Sequence, residues 1–364
     1  MSRFSPQKIY FYIQSKAHYI SRKIFFKKAK KRHFKLAESS GITVKVLSKE
    51  QKQEIKNIWG KWGKDYSTHQ LIYSITGKFN PLICPESAFG TVFEFDLNNQ
   101  NYTFAWSDKN YFNKFFPEVK FPHSLVHNIS GTFYDDNYKI LDESQVLTIL
   151  LAHEYICVKP SLDSGSGIGV RKIKVDEKIK SILDEYKQDF VIQEIMEQYE
   201  PIKKLNPSSV NVLRTITLFL NGKPQLVTST LRCGAIGAFN DNSISKDGKG
   251  MFVIGVTPDG ILKDTGYYSC GLSLSVAPNG QPFAGIQLPN YARVKALVEN
   301  IHSQMPFFGF VGFDVAFGVD GEPVIMEYNV KAPGVFYYQL ANGPLFGDYT
   351  EDIIKASIDK RFKW

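Results

Sequence analysis

The chain has 364 residues, 43% of them hydrophobic and 22% charged, with a formal net charge of +8. This is a globular composition, long enough for one large core or two to three subdomains, and it excludes a disordered chain. No run of about 18 apolar residues occurs, so no membrane-spanning helix is expected.

The N-terminus lacks the apolar core of a secretory leader, so none is expected. The four cysteines (Cys84, Cys157, Cys233, Cys270) show no paired spacing, which predicts reduced thiols in a cytosolic protein. The charge is unevenly placed. Up to Lys35 there are eleven Lys and Arg and no acid, leaving 33 cations against 36 anions in the rest. The body is near neutral, and the basicity belongs to an arm.

That arm, residues 1–36, reads as a helix mixing Tyr10, Phe11, Tyr12, Tyr19, Phe25 and Phe26 with the basic run Lys27, Lys28, Lys30, Lys31 and Arg32. Three readings are open. The helix packs on the body with a solvated basic edge, lies on an anionic membrane surface, or touches nucleic acid. The last has no RNP, helix-turn-helix or zinc spacing to support it.

Residues 44–77, with Trp59 and Trp62, read as helical, and 37–107 as an N-terminal α/β region in which 87–107 mixes strand and loop. A helix starts in 106–114, with Ser107 or Asp108 as its cap, and another is expected over 144–152. Ile156 to Pro160 is a strand that ends in Lys159. A serine and glycine loop follows, including Ser164, Gly165, Ser166 and Gly167, before a second strand over 170–175. Such a loop exposes backbone N–H groups and tolerates close approach by phosphate, although a merely flexible turn reads the same way. It is no Walker A loop, because no Gly-Lys-Ser/Thr and no helix follow.

A helix over 176–186 and a buried strand over 190–196 come next, then a turn at Asn206-Pro207-Ser208-Ser209. Strands over 210–220 and 224–232 flank Asn221-Gly222, a strong hairpin signal. Arg214 and Arg232 sit inside these apolar strands. Each is either a core ion pair or an anion site, because a buried cation needs an anionic partner. Polar loop 240–250, loop region 266–283, a helix over 291–302 and a last helix over 349–361 complete the order. His123, His127 and His153 have no ligand spacing and read as packed or surface residues.

Between the last two helices lies a hairpin signalled by Asp320-Gly321. With a two-residue turn there, Asp314 stands opposite Glu327, and Asn329 points to the same side. The other side, Val311, Phe313, Val315 and Phe317 against Val324, Met326, Tyr328 and Val330, reads as core. The near side carries Gly312, Ala316 and Gly318, a low surface from which two carboxylates and one amide rise. Mg2+ takes such oxygen ligands together with substrate phosphates and water. A solvated hairpin face is the alternative; small neighbours rather than Lys or Thr leave the two readings evenly open.

Four stretches carry a resemblance: Asp108-Lys109-Asn110, Val158-Lys159-Pro160-Ser161, Asn206 to Arg214, and Gly312-Phe313-Asp314-Val315-Ala316. Together they resemble the sugar-transfer-associated ATP-grasp proteins, which are associated with bacterial surface-polysaccharide synthesis. The resemblance covers about 82–360 and leaves out the arm. It implies an α+β ATP-grasp fold, two α+β subdomains (108–200 and 201–364) sandwiching ATP.

It further implies that Lys109 and Lys159 hold nucleotide phosphates under the flap of Ser164 to Gly169. The adenine would lie at Gln193 to Met196, read by backbone groups of Glu194 and Met196, with Glu197 or Glu200 on the ribose. Asp314, Glu327 and Asn329 match the superfamily's Mg2+ carriers (two ions, with Mn2+ as an alternative). Arg214, Arg232 and Asn242 match acceptor-side residues of the ribosomal-protein glutamate ligases. Gly248 and Gly250 match their paired glycines, although Lys249 separates the two here.

The implied activity is a carboxylate–amine ligase that works through an acyl phosphate, releases ADP and phosphate, and forms an amide. Its substrate would be a cell-surface glycan precursor, a nucleotide- or lipid-linked sugar such as a uronic acid accepting an amino acid. The arm would hold the protein at the inner membrane face. A phosphotransferase and a non-catalytic nucleotide- or glycan-binding module are the alternatives.

Overall fold

Thirteen strands in two antiparallel sheets organise the computed structural model, which describes residues 6–162, 167–240 and 249–359. The first sheet is built from β1 (Ser124–Ile129), β2 (Thr132–Tyr134), β3 (Ile140–Leu141), β4 (Tyr155–Pro160), β5 (Arg171–Lys174) and β6 (Phe190–Glu194). Its spatial order is β3-β2-β1-β6-β4-β5.

The second sheet comprises β7 (Val212–Leu220), β8 (Lys223–Cys233), β9 (Phe252–Val256), β10 (Leu262–Tyr268), β11 (Ser273–Leu274), β12 (Phe310–Phe317) and β13 (Pro323–Asn329). They run in the order β11-β10-β9-β8-β7-β12-β13. Asn221 and Gly222, both at positive φ, make the tight turn between β7 and β8, as the Asn-Gly pair predicts.

Period-two alternation assigns the faces. In the first sheet Ile156, Val158, Phe190 and Ile192 pack with Val146, Leu150, Ile179 and Leu183 of the covering helices. That leaves Cys157, Lys159 and Gln193 on the opposite face. In the second sheet Leu213, Phe313 and Val315 pack against Val294, Val298 and Ile301 of the helix Tyr291–Ser303. Its other face carries Ile216, Leu218, Leu220 and Phe310, covered by Ile55, Trp59, Phe89, Phe93 and Leu97.

Three expectations are corrected. The N-terminal region is helical, not α/β: α1 (Pro6–Ser39), α2 (Lys49–Trp59) and α3 (Ser67–Thr76) lead into short helices from Glu86 to Trp106. The stretch 87–107 is rich in aromatic and β-branched residues, which favours strand locally. Yet Phe89, Phe93 and Leu97 recur every four residues and bury one helical face on β7 and β12. Tertiary packing decides the conformation.

Strands β9 and β10 are likewise unexpected, and the second runs into the region read as loop. β9 is buried along its whole length, so it shows no alternation.

The third correction concerns the hairpin. Gly318 N–H donates to Glu322 O at 2.9 Å and Gly321 has a φ of 74°, so three residues, not two, form the loop. Val315 therefore pairs with Ile325 and Phe317 with Pro323. An irregularity at Met326 then shifts the register by one, and Asp314 pairs with Glu327. The core side holds Ile325 in place of the expected Val324 and Met326, and Met326 is half-buried beside Lys109.

Candidate functional site

One face of the second sheet changes character along its strands. Phe310 pairs with Leu218 and Gly312 with Ile216, both under the N-terminal helices; the next pair is Asp314 with Arg214. Across the hairpin Glu327 lies beside Asp314, and Asn329 beside Gly312. Arg232 pairs with Val212 and belongs to the same face. Thus an apolar surface runs into a charged one.

Asp314 is 3% exposed and is held from two sides, by Arg214 Nε at 2.8 Å and Arg232 Nη2 at 3.5 Å. Of the two readings of these arginines, the ion pair is what is seen, and it lies at the edge of a cleft. Lys109 Nζ stands 3.6 Å from Glu327 Oε2, and Asn329 Nδ2 donates to Glu327 Oε1 at 3.4 Å. Burial pushes the Glu327 carboxyl up. The charges of Lys109, Arg214 and Lys159 outweigh it and hold the pKa at about 2. Glu327 is therefore ionised at neutral pH.

Among the described residues no three His, Cys, Asp or Glu gather as a metal cage. Two carboxylates and an amide suit a hard cation that takes its other oxygens from phosphates and water.

Lys109 reaches this site through a buried turn. Asp108 accepts from Asn110 N at 3.0 Å as the cap, as expected, and Lys109 N donates to Ser161 O at 3.0 Å at the end of β4. Asn110 is fully buried; it donates to Asn128 O, and its side-chain oxygen lies 3.0 Å from His127 Nδ1. His127 is thus a packed residue that anchors the turn.

Between the sheets lies a cleft of about 860 Å3, open to solvent. Lys109, Lys159, Asp314, Glu327 and Met326 line its charged end. Gln193, Glu194 and Met196 line the same cleft, with Cys157 and Val212, and Gln193 lies close to Lys109, Lys159 and Met326. Gln193 Nε2 donates to Pro122 O at 3.2 Å, and Glu194 N donates to His123 O at 3.0 Å. Glu197 and Glu200 are not brought to the cleft. Glu197 is 68% exposed and paired with Lys203 at 3.0 Å, while Glu200 starts the short helix Glu200–Lys203 with its side chain exposed.

Gly167 and Asn240 meet at the lining of the cleft. A Cβ on Gly167, at a φ of 72°, would lie 3.1 Å from the Asn240 side chain. Ser164, Gly165, Ser166, Asn242 and Gly248 lie outside the described residues. The Asn-Pro-Ser-Ser motif is structural in its contacts: Asn206 Nδ2 donates to Gly234 O at 2.9 Å, and Gly237 N donates to Ser208 Oγ at 2.8 Å. Gly234 cannot carry a side chain here, since a Cβ would stand 2.3 Å from Asn240 O. The motif fixes the strand-to-loop passage that leads to Asn240.

Three supporting residues have no motif in the sequence. Asn98 is fully buried; its oxygen accepts from Gly309 N and Phe310 N, and its Nδ2 donates to Phe310 O and Val330 O. It ties β12 to the chain leaving β13. Glu94, 1% exposed, accepts from Ala332 N at 2.7 Å, three residues past Asn329, and is ion-paired with Arg22 of α1. Tyr338 is buried in the cluster on this face, and burial first, then the Asp314 charge, pushes its hydroxyl far up. An isolated Asn, Glu or Tyr among apolar residues gives no signal until the chain is folded.

A family model described as sugar-transfer associated ATP-grasp matches residues 96–353. No curated protein sequence matches the chain. Among solved structures, D-alanine–D-alanine ligase from Bacillus anthracis complexed with ATP is 14% identical, with 70% of this chain and 68% of that chain covered and a TM-score of 0.40. VanG D-Ala:D-Ser ligase from Enterococcus faecalis is 13% identical, covering 70% and 61%, at 0.42. L-amino acid ligase from Bacillus licheniformis is 10% identical, covering 82% and 61%, at 0.35. The chain thus spans 61–68% of the length of these proteins.

Proposed function

Because this chain belongs to the sugar-transfer associated ATP-grasp family, we propose that it is an ATP- and Mg2+-dependent carboxylate–amine ligase acting on a cell-surface glycan precursor. The observation that carries the reading is the charged end of the cleft, where Lys109 and Glu327 stand 3.6 Å apart beside the Arg214–Asp314–Arg232 cluster. No covalent nucleophile is required. Phosphoryl transfer needs positioning and neutralisation of charge, and these residues supply both.

In this reading Lys109 and Lys159 hold the phosphates, and Gln193 to Met196 face the base. Glu327, Asn329 and Asp314 would hold Mg2+, which when bound neutralises phosphate charge. Asp314 is already clasped by two arginines, so Glu327 is the first ligand. Arg214 and Arg232 orient the acceptor carboxylate, which takes the γ-phosphoryl group; the amine then displaces phosphate to form the amide. Ser164, Gly165, Ser166 and Gly167 would close on the phosphates, and Asn242 would act on the acceptor side. Glu197 and Glu200 are weaker ribose partners, since neither lines the cleft. The lipid- or nucleotide-linked sugar and a peripheral place on the inner membrane face belong to the same proposal.

The test is the thermal shift of the purified protein with ATP, with and without Mg2+. At about 100-fold excess over Kd a bound ligand adds roughly 2.7 kcal/mol to stability. A Mg2+-dependent rise is expected for wild type and its loss for Glu327→Gln. Uronic-acid acceptors and amino acids are then screened for ADP and free phosphate in equal amounts. Phosphate retained on the acceptor would mark a phosphotransferase instead, and no shift in either protein would sink the nucleotide site.

A further inference from the structure

The arm lies outside the family match, and its two faces differ. Toward the body, Arg22, Phe26, His33 and Ala37 are buried. Arg22 pairs with Glu94 and donates to Gly90 O at 3.1 Å, and the ring of Phe26 fills the space where a Gly90 side chain would stand. The helix is therefore clamped along its second half.

Its outer face is unlike a solvated helix face. Ile13, Ile20 and Ile24 follow one another at spacings of seven and four, so they form one ridge on the side away from Arg22 and Phe26. They are 60%, 56% and 52% exposed, and Phe25, at 56%, stands on the flank. Lys23, Lys27, Lys28, Lys31 and Lys35 are exposed around and beyond the ridge.

We propose that α1 is a rigid docking helix that lays this isoleucine ridge and its lysines on an anionic phospholipid surface. The occupant follows from two observations together. Eleven cations without one acid up to Lys35 repel a second copy of the same helix and call for an anionic partner. A polynucleotide would satisfy the lysines and leave the isoleucines in water, whereas the headgroup boundary of a bilayer takes both. The dock deepens the membrane placement proposed above and stands apart from the reaction assigned to the cleft. Because α1 is clamped through Arg22 and Glu94 to the chain just past Asn329, the bilayer would hold the cleft at a fixed attitude rather than on a loose tether.

The experiment is sedimentation of the full chain with phosphatidylcholine vesicles, with and without phosphatidylglycerol. Binding is expected only with the anionic lipid. Ile20→Ser with Ile24→Ser keeps every charge and touches no packed residue; it should weaken binding about tenfold or more. Replacing Lys27, Lys28 and Lys31 by Gln should weaken it about fivefold per residue. Unchanged binding in the isoleucine variant would overturn the proposal, as would equal binding to neutral vesicles or tighter binding to duplex DNA. The ATP thermal shift, measured on the same variants, reads the cleft independently, so failure of the dock and failure of the ligase reading are distinguishable.

Discussion

Asp314 faces Glu327 across the β12–β13 hairpin, although the turn between them is one residue longer than the sequence signal implies. The three-residue loop shifts the pairing by one, and the irregularity at Met326 shifts it back. Two departures cancel before the carboxylates are reached. Side by side, the two acids differ in environment, Asp314 buried between arginines and Glu327 open to the cleft.

That difference predicts unequal stability effects. Asp314→Asn leaves Arg214 and Arg232 without their carboxylate and should cost about 3–5 kcal/mol. Glu327→Gln, with its side chain 31% exposed, should cost less, about 1–3 kcal/mol in the absence of nucleotide. Urea unfolding measures both, and equal losses would refute the distinction.

Arg22 tests whether the arm supports the β12–β13 hairpin. Arg22→Ala leaves Glu94 buried without its cation and should destabilise by about 3–5 kcal/mol. The double change Arg22→Ala with Glu94→Gln should recover part of this, since no unpaired charge is left. Trypsin should cut α1 of the single variant faster than that of wild type. Equal cleavage would mean that the ion pair does not hold the helix.

Acid should destabilise the protein below about pH 6.5. Burial first holds His33, His69 and His302 down at about 4, so the folded state keeps them neutral while the unfolded chain protonates. Their contribution is complete above the unfolded value and is lost as pH falls toward 4, up to about 3 kcal/mol each. Glu86 opposes one of them: burial raises its carboxyl to about 7, which favours the folded state as pH falls from 7 toward 4.5. Glu327 adds a further loss only below about 4.5. Urea titrations at about pH 7 and about pH 5 should show the decline, and the penalty of His302→Gln should shrink at the lower pH. A flat profile would contradict the buried neutral histidines.

Local signals made much of the site legible. Alternation in β4 and β6 turns Lys159 and Gln193 to one face, and the Asp108 cap and the Asn221-Gly222 turn are written in a few adjacent residues. The charge of the arm also follows from the sequence alone, whereas Asp314 meets Glu327 only because the irregularity at Met326 cancels the longer turn. The helicity of 87–107 does not follow from the sequence either, because its aromatic residues favour strand until Phe89 and Phe93 find β7 and β12. Nor do Asn98, whose partner Phe310 is 212 residues away, the Arg22–Glu94 clamp, or the choice of an ion pair for Arg214. Alternation and turn chemistry act over two to four residues, so a sequence states them directly. Burial and the pairing of buried polar groups depend on which distant segments meet, and only the folded chain brings those together.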